Sequence, residues 1–163
     1  MVSTLVGWLA FLEAQATVFA ALTGLVFVAL SINLKDILRL PGVPGRAGEA
    51  LILLVQPVLI GLMGLAPFTL RRFGAVVLAV SVAGWAAVTS ILVVGRRALR
   101  ERSALTRVGR VTTVQLATLL VVTAGALLVS GDASGLWWQA AGALTSLVVG
   151  VATAWILLVE ILR

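Results

Sequence analysis

The chain has 163 residues, 61% of them hydrophobic and 11% charged, with a formal net charge of +6. Its uncharged runs are long enough to cross a bilayer, which takes roughly 20 apolar residues per helix, so the sequence is that of an integral membrane protein. There is no Cys and no His, which excludes thiolate or imidazole metal sites, Cys nucleophiles and His acid/base chemistry, and only six acidic residues remain for any site.

Arg outnumbers Lys eleven to one amid abundant Ala, Gly, Val and Leu, the bias of a GC-rich bacterial gene. The bacterial cytoplasmic membrane is the expected location. The Arg residues sit between apolar runs rather than on a soluble face, which argues against a nucleic-acid partner. The N-terminus lacks the basic leader of a secretory signal and is expected to be retained.

Five spans are predicted along one transmembrane domain, 1–163: residues 14–34, 50–70, 73–95, 111–130 and 136–159. Helices are expected throughout, an all-α bundle, because lipid offers no water to satisfy backbone groups and the alternating pattern of a membrane barrel is absent. The first and third loops hold most of the Lys and Arg. The positive-inside rule therefore places the N-terminus outside and the C-terminus in the cytoplasm.

Span one lies within "FLEAQATVFAALTGLVFVALSINL" (residues 11–34), which holds a glutamate near its start. At about 100° per residue, Glu13 shares a stripe with Ala16, Thr17, Ala20, Gly24, Phe27 and Ser31, while Gln15 points to the opposite side. The small-xxx-small spacing of Ala16, Ala20 and Gly24 predicts that this stripe turns toward protein. Two roles fit Glu13. It marks the membrane boundary, where a carboxylate reaches water, or it forms part of a carboxylate ring at the mouth of an oligomeric pore whose wall includes Thr17, Ala20, Gly24 and Ser31, with Phe27 as a hydrophobic constriction.

The turn "PGVPG" (residues 41–45) leads into span two. Glu49 is expected in the first turn of that span, suited to the helix dipole, with Arg46 three residues earlier. Pro57 should kink the helix by freeing the carbonyl of Leu53, and the Gln56 amide is expected to satisfy a freed group or a neighbouring helix. Glu49 and Gln56 share a face at seven-residue spacing, a candidate polar lining.

After span three, "GRRALRERSALTRVGR" (residues 95–110) is expected to continue the helix into the cytoplasm. Its Arg96, Arg97, Arg100, Arg102, Arg107 and Arg110 are candidates for contact with anionic headgroups or an acidic partner. Span five opens on Trp137 and Trp138, expected in the outer aromatic belt, and carries Gly142, Ser146, Gly150 and Ala154 as a helix-packing ridge. No phosphate loop, catalytic dyad or nucleotide fingerprint occurs, and no enzyme, cofactor or metal is expected.

The stretch "AALTGLVFVALSINL" (residues 20–34) followed by "RAGEAL" (residues 46–51) resembles a group of small bacterial multi-spanning membrane proteins, some of them labelled modulators of the membrane protease FtsH. The resemblance covers the first third of the chain and implies no catalytic residues. Two functional classes are expected from these features: a homo-oligomeric ion channel or pore lined by the first helix, or a non-conducting scaffold or modulator that binds another membrane protein such as a protease.

Overall fold

A computed structural model describes residues 5–98 and 104–161; at the helix ends 96–98, 104–107 and 160–161 it describes the backbone alone. Six helices account for nearly all of the described residues: α1 (Leu9–Ile32), α2 (Leu34–Arg39), α3 (Val43–Gly64), α4 (Leu70–Ala98), α5 (Ala104–Ser130) and α6 (Gly135–Ile161). All but α2 are long and apolar enough to cross a membrane. They run alternately up and down, so one end of the bundle gathers Trp8, Phe68 and Trp137 and the other gathers Lys35, Arg39 and Arg110. We call these the aromatic end and the basic end.

Helix α3 touches α1, α4 and α6, and α5 touches α4 and α6, which makes α3 to α6 a four-helix ring with α1 laid against its outside on α3. Over half of the α3 span is buried against one sixth of α1. Core side chains fill the ring from end to end. Leu12, Ile60, Phe73, Leu128 and Leu136 pack near the aromatic end, Leu53, Val88, Val114 and Ala117 in the middle, and Val43, Ala50 and Leu157 near the basic end.

Local chemistry sets the boundaries. Helix α1 begins at Leu9, five residues before the predicted span, because nothing in the preceding apolar residues breaks a helix. At its other end the Asn33 side-chain amide donates to the carbonyl of Ala29 (2.9 Å). The short α2 buries Ile37 and has Asp36 in its first turn and Arg39 in its last, as the helix dipole favours. Gly42 then adopts φ 83°, a left-handed turn suited to glycine, and Pro44 sits in the first turn of α3, where its missing N–H costs nothing.

Span two differs most from expectation. Helix α3 runs from Val43 to Gly64, whereas the sequence pattern placed the span at residues 50–70. Pro67 disfavours helix at Ala66, and residues 65–69 form the turn instead. Thr69 opens α4 by accepting from the Arg72 N–H (3.4 Å). At the α5–α6 turn the Ser134 N–H donates to Asp132 Oδ1 (2.8 Å); this bond first, and the Ser134 hydroxyl second, hold the Asp132 carboxyl below its ordinary value.

Glycine permits the closest helix contacts. A Cβ on Gly125 would lie 2.6 Å from the backbone N of Leu78, and one on Gly61 would lie 2.7 Å from the carbonyl O of Leu12. The α4–α5 and α1–α3 crossings thus bring backbone against backbone with no room for a methyl group, the packing by which membrane helices associate.

Candidate functional site

Two closed polar clusters lie inside the protomer and one open stripe lies outside it. The first cluster joins three helices below the aromatic end. Gln15 Nε2 on α1 donates to the carbonyl of Pro57 on α3 (2.8 Å), and Gln139 Nε2 on α6 donates to Gln15 Oε1 (2.9 Å). Gln15 and Gln139 are 5% and 1% exposed. In an apolar setting each amide needs a partner; both ends of Gln15 find one here, while Gln139 donates but its buried Oε1 has no partner among the described residues. These bonds join the buried Leu12, Ala16 and Phe19 in holding α1 on the ring.

The second cluster lies near the basic end. Arg110 on α5 grips the Glu49 carboxylate on α3 with two bonds, Nη2 to Oε1 at 2.6 Å and Nε to Oε2 at 3.2 Å. Glu49 is wholly buried and the Arg110 side chain is 24% exposed. Glu49 is thus a buried half of an ion pair in the second turn of α3, not the helix-start carboxylate expected from sequence, and Arg110 holds it rather than standing only as a headgroup contact. Among the other arginines of that segment, Arg96, Arg97 and Arg107 lie on helix ends described by backbone alone, and Arg100 and Arg102 lie outside the described residues.

Gln56 is also buried, at 6% exposure, but it does not extend Glu49 into a polar lining. It faces α4, where its Oε1 lies 2.4 Å from the position a Cβ on Gly84 would occupy. The surrounding residues are apolar. Near the basic end Gln115 Nε2 donates to Thr89 Oγ1 (3.3 Å), tying α5 to α4. No group of three acidic side chains comes together among the described residues.

The open stripe is on α1. Glu13, Thr17, Ala20, Gly24, Phe27 and Ser31 are all exposed, and a Cβ built on Gly24 would meet nothing within 4 Å. The expectation that this face packs on protein fails within the protomer: of its small residues only Ala16 is buried. Helix α3 brings glycines to the contact: Gly61 sits on the α1 backbone at Leu12 and Ala16, Gly64 meets the Leu12 side chain, and Phe19 packs farther along with Leu54 and Ala143. Phe27 stands 61% exposed.

The stripe recurs at steps of four, three, four, three and four residues, the 3.6-residue period of a straight helix. It therefore stays on one side of α1 from Glu13 to Ser31. Ser31 satisfies its hydroxyl on the carbonyl of Phe27 (2.8 Å). Glu13 has no such backbone partner among the described residues, and stands about 7.5 Å along the helix from Trp8. Trp8 in turn meets Trp137 edge-on, with ring centroids 4.8 Å apart.

The ridge on α6 behaves as its spacing predicts. Gly142 packs on Val121 and Gly150 on Leu54, with Ser146 and Ala154 buried between and beyond them. Gln139 and its bond to Gln15 had no counterpart in the sequence pattern. The available signal was chemical: two amides deep in apolar runs of different helices have few partners besides each other. Compared with protein-family models, curated proteins and solved structures, the chain shows no match.

Proposed function

We propose that this protein is a homo-oligomer of the bacterial cytoplasmic membrane whose α1 helices face a common axis and line an ion pathway. The aromatic end lies outside and the basic end in the cytoplasm, as the positive-inside rule and the belt of Trp8 and Trp137 favour. Glu13 forms a carboxylate ring at the outer mouth, Thr17, Ala20, Gly24 and Ser31 form the wall, and Phe27 forms a hydrophobic constriction. The basic end rests among anionic headgroups.

The exposed stripe carries the proposal. It is weakly polar, bears a carboxylate, and is covered by nothing in the protomer. Inside the protomer the polar clusters at Gln15 and Glu49 are separated by packed apolar side chains, among them Phe19, Leu54 and Ala143, so a pathway has to run between copies. No catalytic step is invoked.

Cation flux into liposomes holding the purified protein tests it. The expected result is flux absent from empty vesicles, with a weakened preference for cations in Glu13→Gln. A folded, correctly inserted sample that conducts nothing would instead support the second reading, a non-conducting scaffold or modulator. The same seam, together with the resemblance to proteins labelled modulators of FtsH, favours that reading if another membrane protein's helix occupies the face of α1.

A further inference from the structure

A groove of about 410 Å³ opens on the side of the bundle between α3 and α4. Val55, Gln56 and Leu59 line one wall and Ala83, Gly84 and Ala87 the other. The small residues of α4 create the hollow, since the walls there end at a methyl group or less.

Gln56 is 94% buried, lines the groove and makes no hydrogen bond among the described residues, whereas Gln15 has both ends of its amide engaged, and Gln139 and Gln115 each donate but keep an unpartnered Oε1. Its Oε1 is turned onto Gly84, where the position of a Cβ would be only 2.4 Å away. A glycine at that site allows a close Cα–H contact to the oxygen, a weak interaction. The N–H donors of the amide are left without an acceptor. An unpaired amide in such surroundings is costly, so a group that accepts from it gains binding energy here.

Depth narrows what that group belongs to. Gln56 is thirteen residues, about 20 Å, from the start of α3 and about 12 Å from its end, and Gly84 is likewise near the middle of α4. Phospholipid ester carbonyls stay at the hydrocarbon boundary, about 15 Å from the midplane, and an acyl chain brings no acceptor to this depth. A groove some 12 Å long offers a neighbouring helix only about two turns of contact. We propose that the groove binds a lipid-soluble quinone, whose flat ring lies against Gly84 and Ala87 and whose ring carbonyl accepts from the Gln56 amide. This concerns binding alone, and it stands on the protomer whatever the assembly.

The test is photolabelling of the full-length protein in lipid nanodiscs with an azido-benzoquinone carrying a short isoprenoid tail, competed by unlabelled decyl-benzoquinone. Labelling is expected on α3 around Gln56 and on α4 around Gly84. Gln56→Leu should raise the competitor's half-saturating concentration about fivefold, the value of one hydrogen bond. Ala87→Leu, which fills the groove from its rim, should abolish labelling while its thermal midpoint stays that of the parent. The proposal is overturned by labelling elsewhere or not at all, by wild-type behaviour of both variants, or by equal labelling with an azido fatty acid that lacks the ring carbonyls.

Discussion

Arg110 on α5 and Glu49 on α3 are 61 residues apart in sequence and form a two-pronged ion pair across the ring, with the carboxylate shut off from solvent. The pair fixes two helices that are not neighbours in the chain. Removing only the arginine strands a buried charge, which costs about 3–5 kcal/mol for a fully buried pair and about 3 kcal/mol where, as here, one partner reaches solvent. Arg110→Met should therefore lower the thermal midpoint of the detergent-solubilised protein markedly. The double variant Glu49→Leu/Arg110→Met should regain most of the loss, and equal losses in the two would contradict the pairing.

The Gln15–Gln139 bond makes a second, separable prediction. Gln15→Leu removes two hydrogen bonds and leaves the Gln139 donor unpaired, a loss of about 1–2 kcal/mol in a membrane-helix setting. The effect should be local to α1. Hydrogen exchange ought to rise along residues 9–20 and stay at the parental level in α4 and α5; a uniform rise would mean that α1 is part of one cooperative unit with the ring.

Two glycines report on different contacts. Gly125→Leu drives a side chain into the backbone of α4 at Leu78, and should destabilise the protomer by about 3 kcal/mol or prevent its folding. Gly24→Leu meets open space within the protomer and should change its stability by no more than about 0.5 kcal/mol. If α1 seams are shared between copies, Gly24→Leu will nevertheless shift the assembly toward protomers in size-exclusion chromatography with light scattering. An unchanged assembly would remove Gly24 from the contact.

The five long helices were legible because each is an apolar run broken by Pro, Gly or Arg, and α6 showed its packing ridge by spacing alone. The limits of span two were not, because hydropathy continues through Leu65 and Ala66 while Pro67 ends the helix. The orientation of α1 was read in reverse for a physical reason. Small residues mark close contact but do not say which helix contributes them, and here Gly61 of α3 accommodates α1. Glu49 was misjudged because Arg46 is near in sequence, whereas Arg110 is brought to it only by folding.

Topology follows from the same charge distribution. Reporter fusions at residue 163 and in the Asp132 turn should read as cytoplasmic and external respectively, and the opposite pattern would invert the mouth and base assigned to α1.

The most direct test of the central claim uses the absence of native cysteine. Single cysteines placed in turn at Thr17, Ala20, Gly24 and Phe27, and at Val18, Leu25 and Val28 as controls, are oxidised in native membranes, and cross-linked species are resolved by non-reducing electrophoresis. A shared α1 axis predicts strong cross-linking at the first four positions and weak cross-linking at the controls, following the helical period of the stripe. Cross-linking that is absent throughout, or equal at both sets, would contradict an assembly built on the Glu13 face.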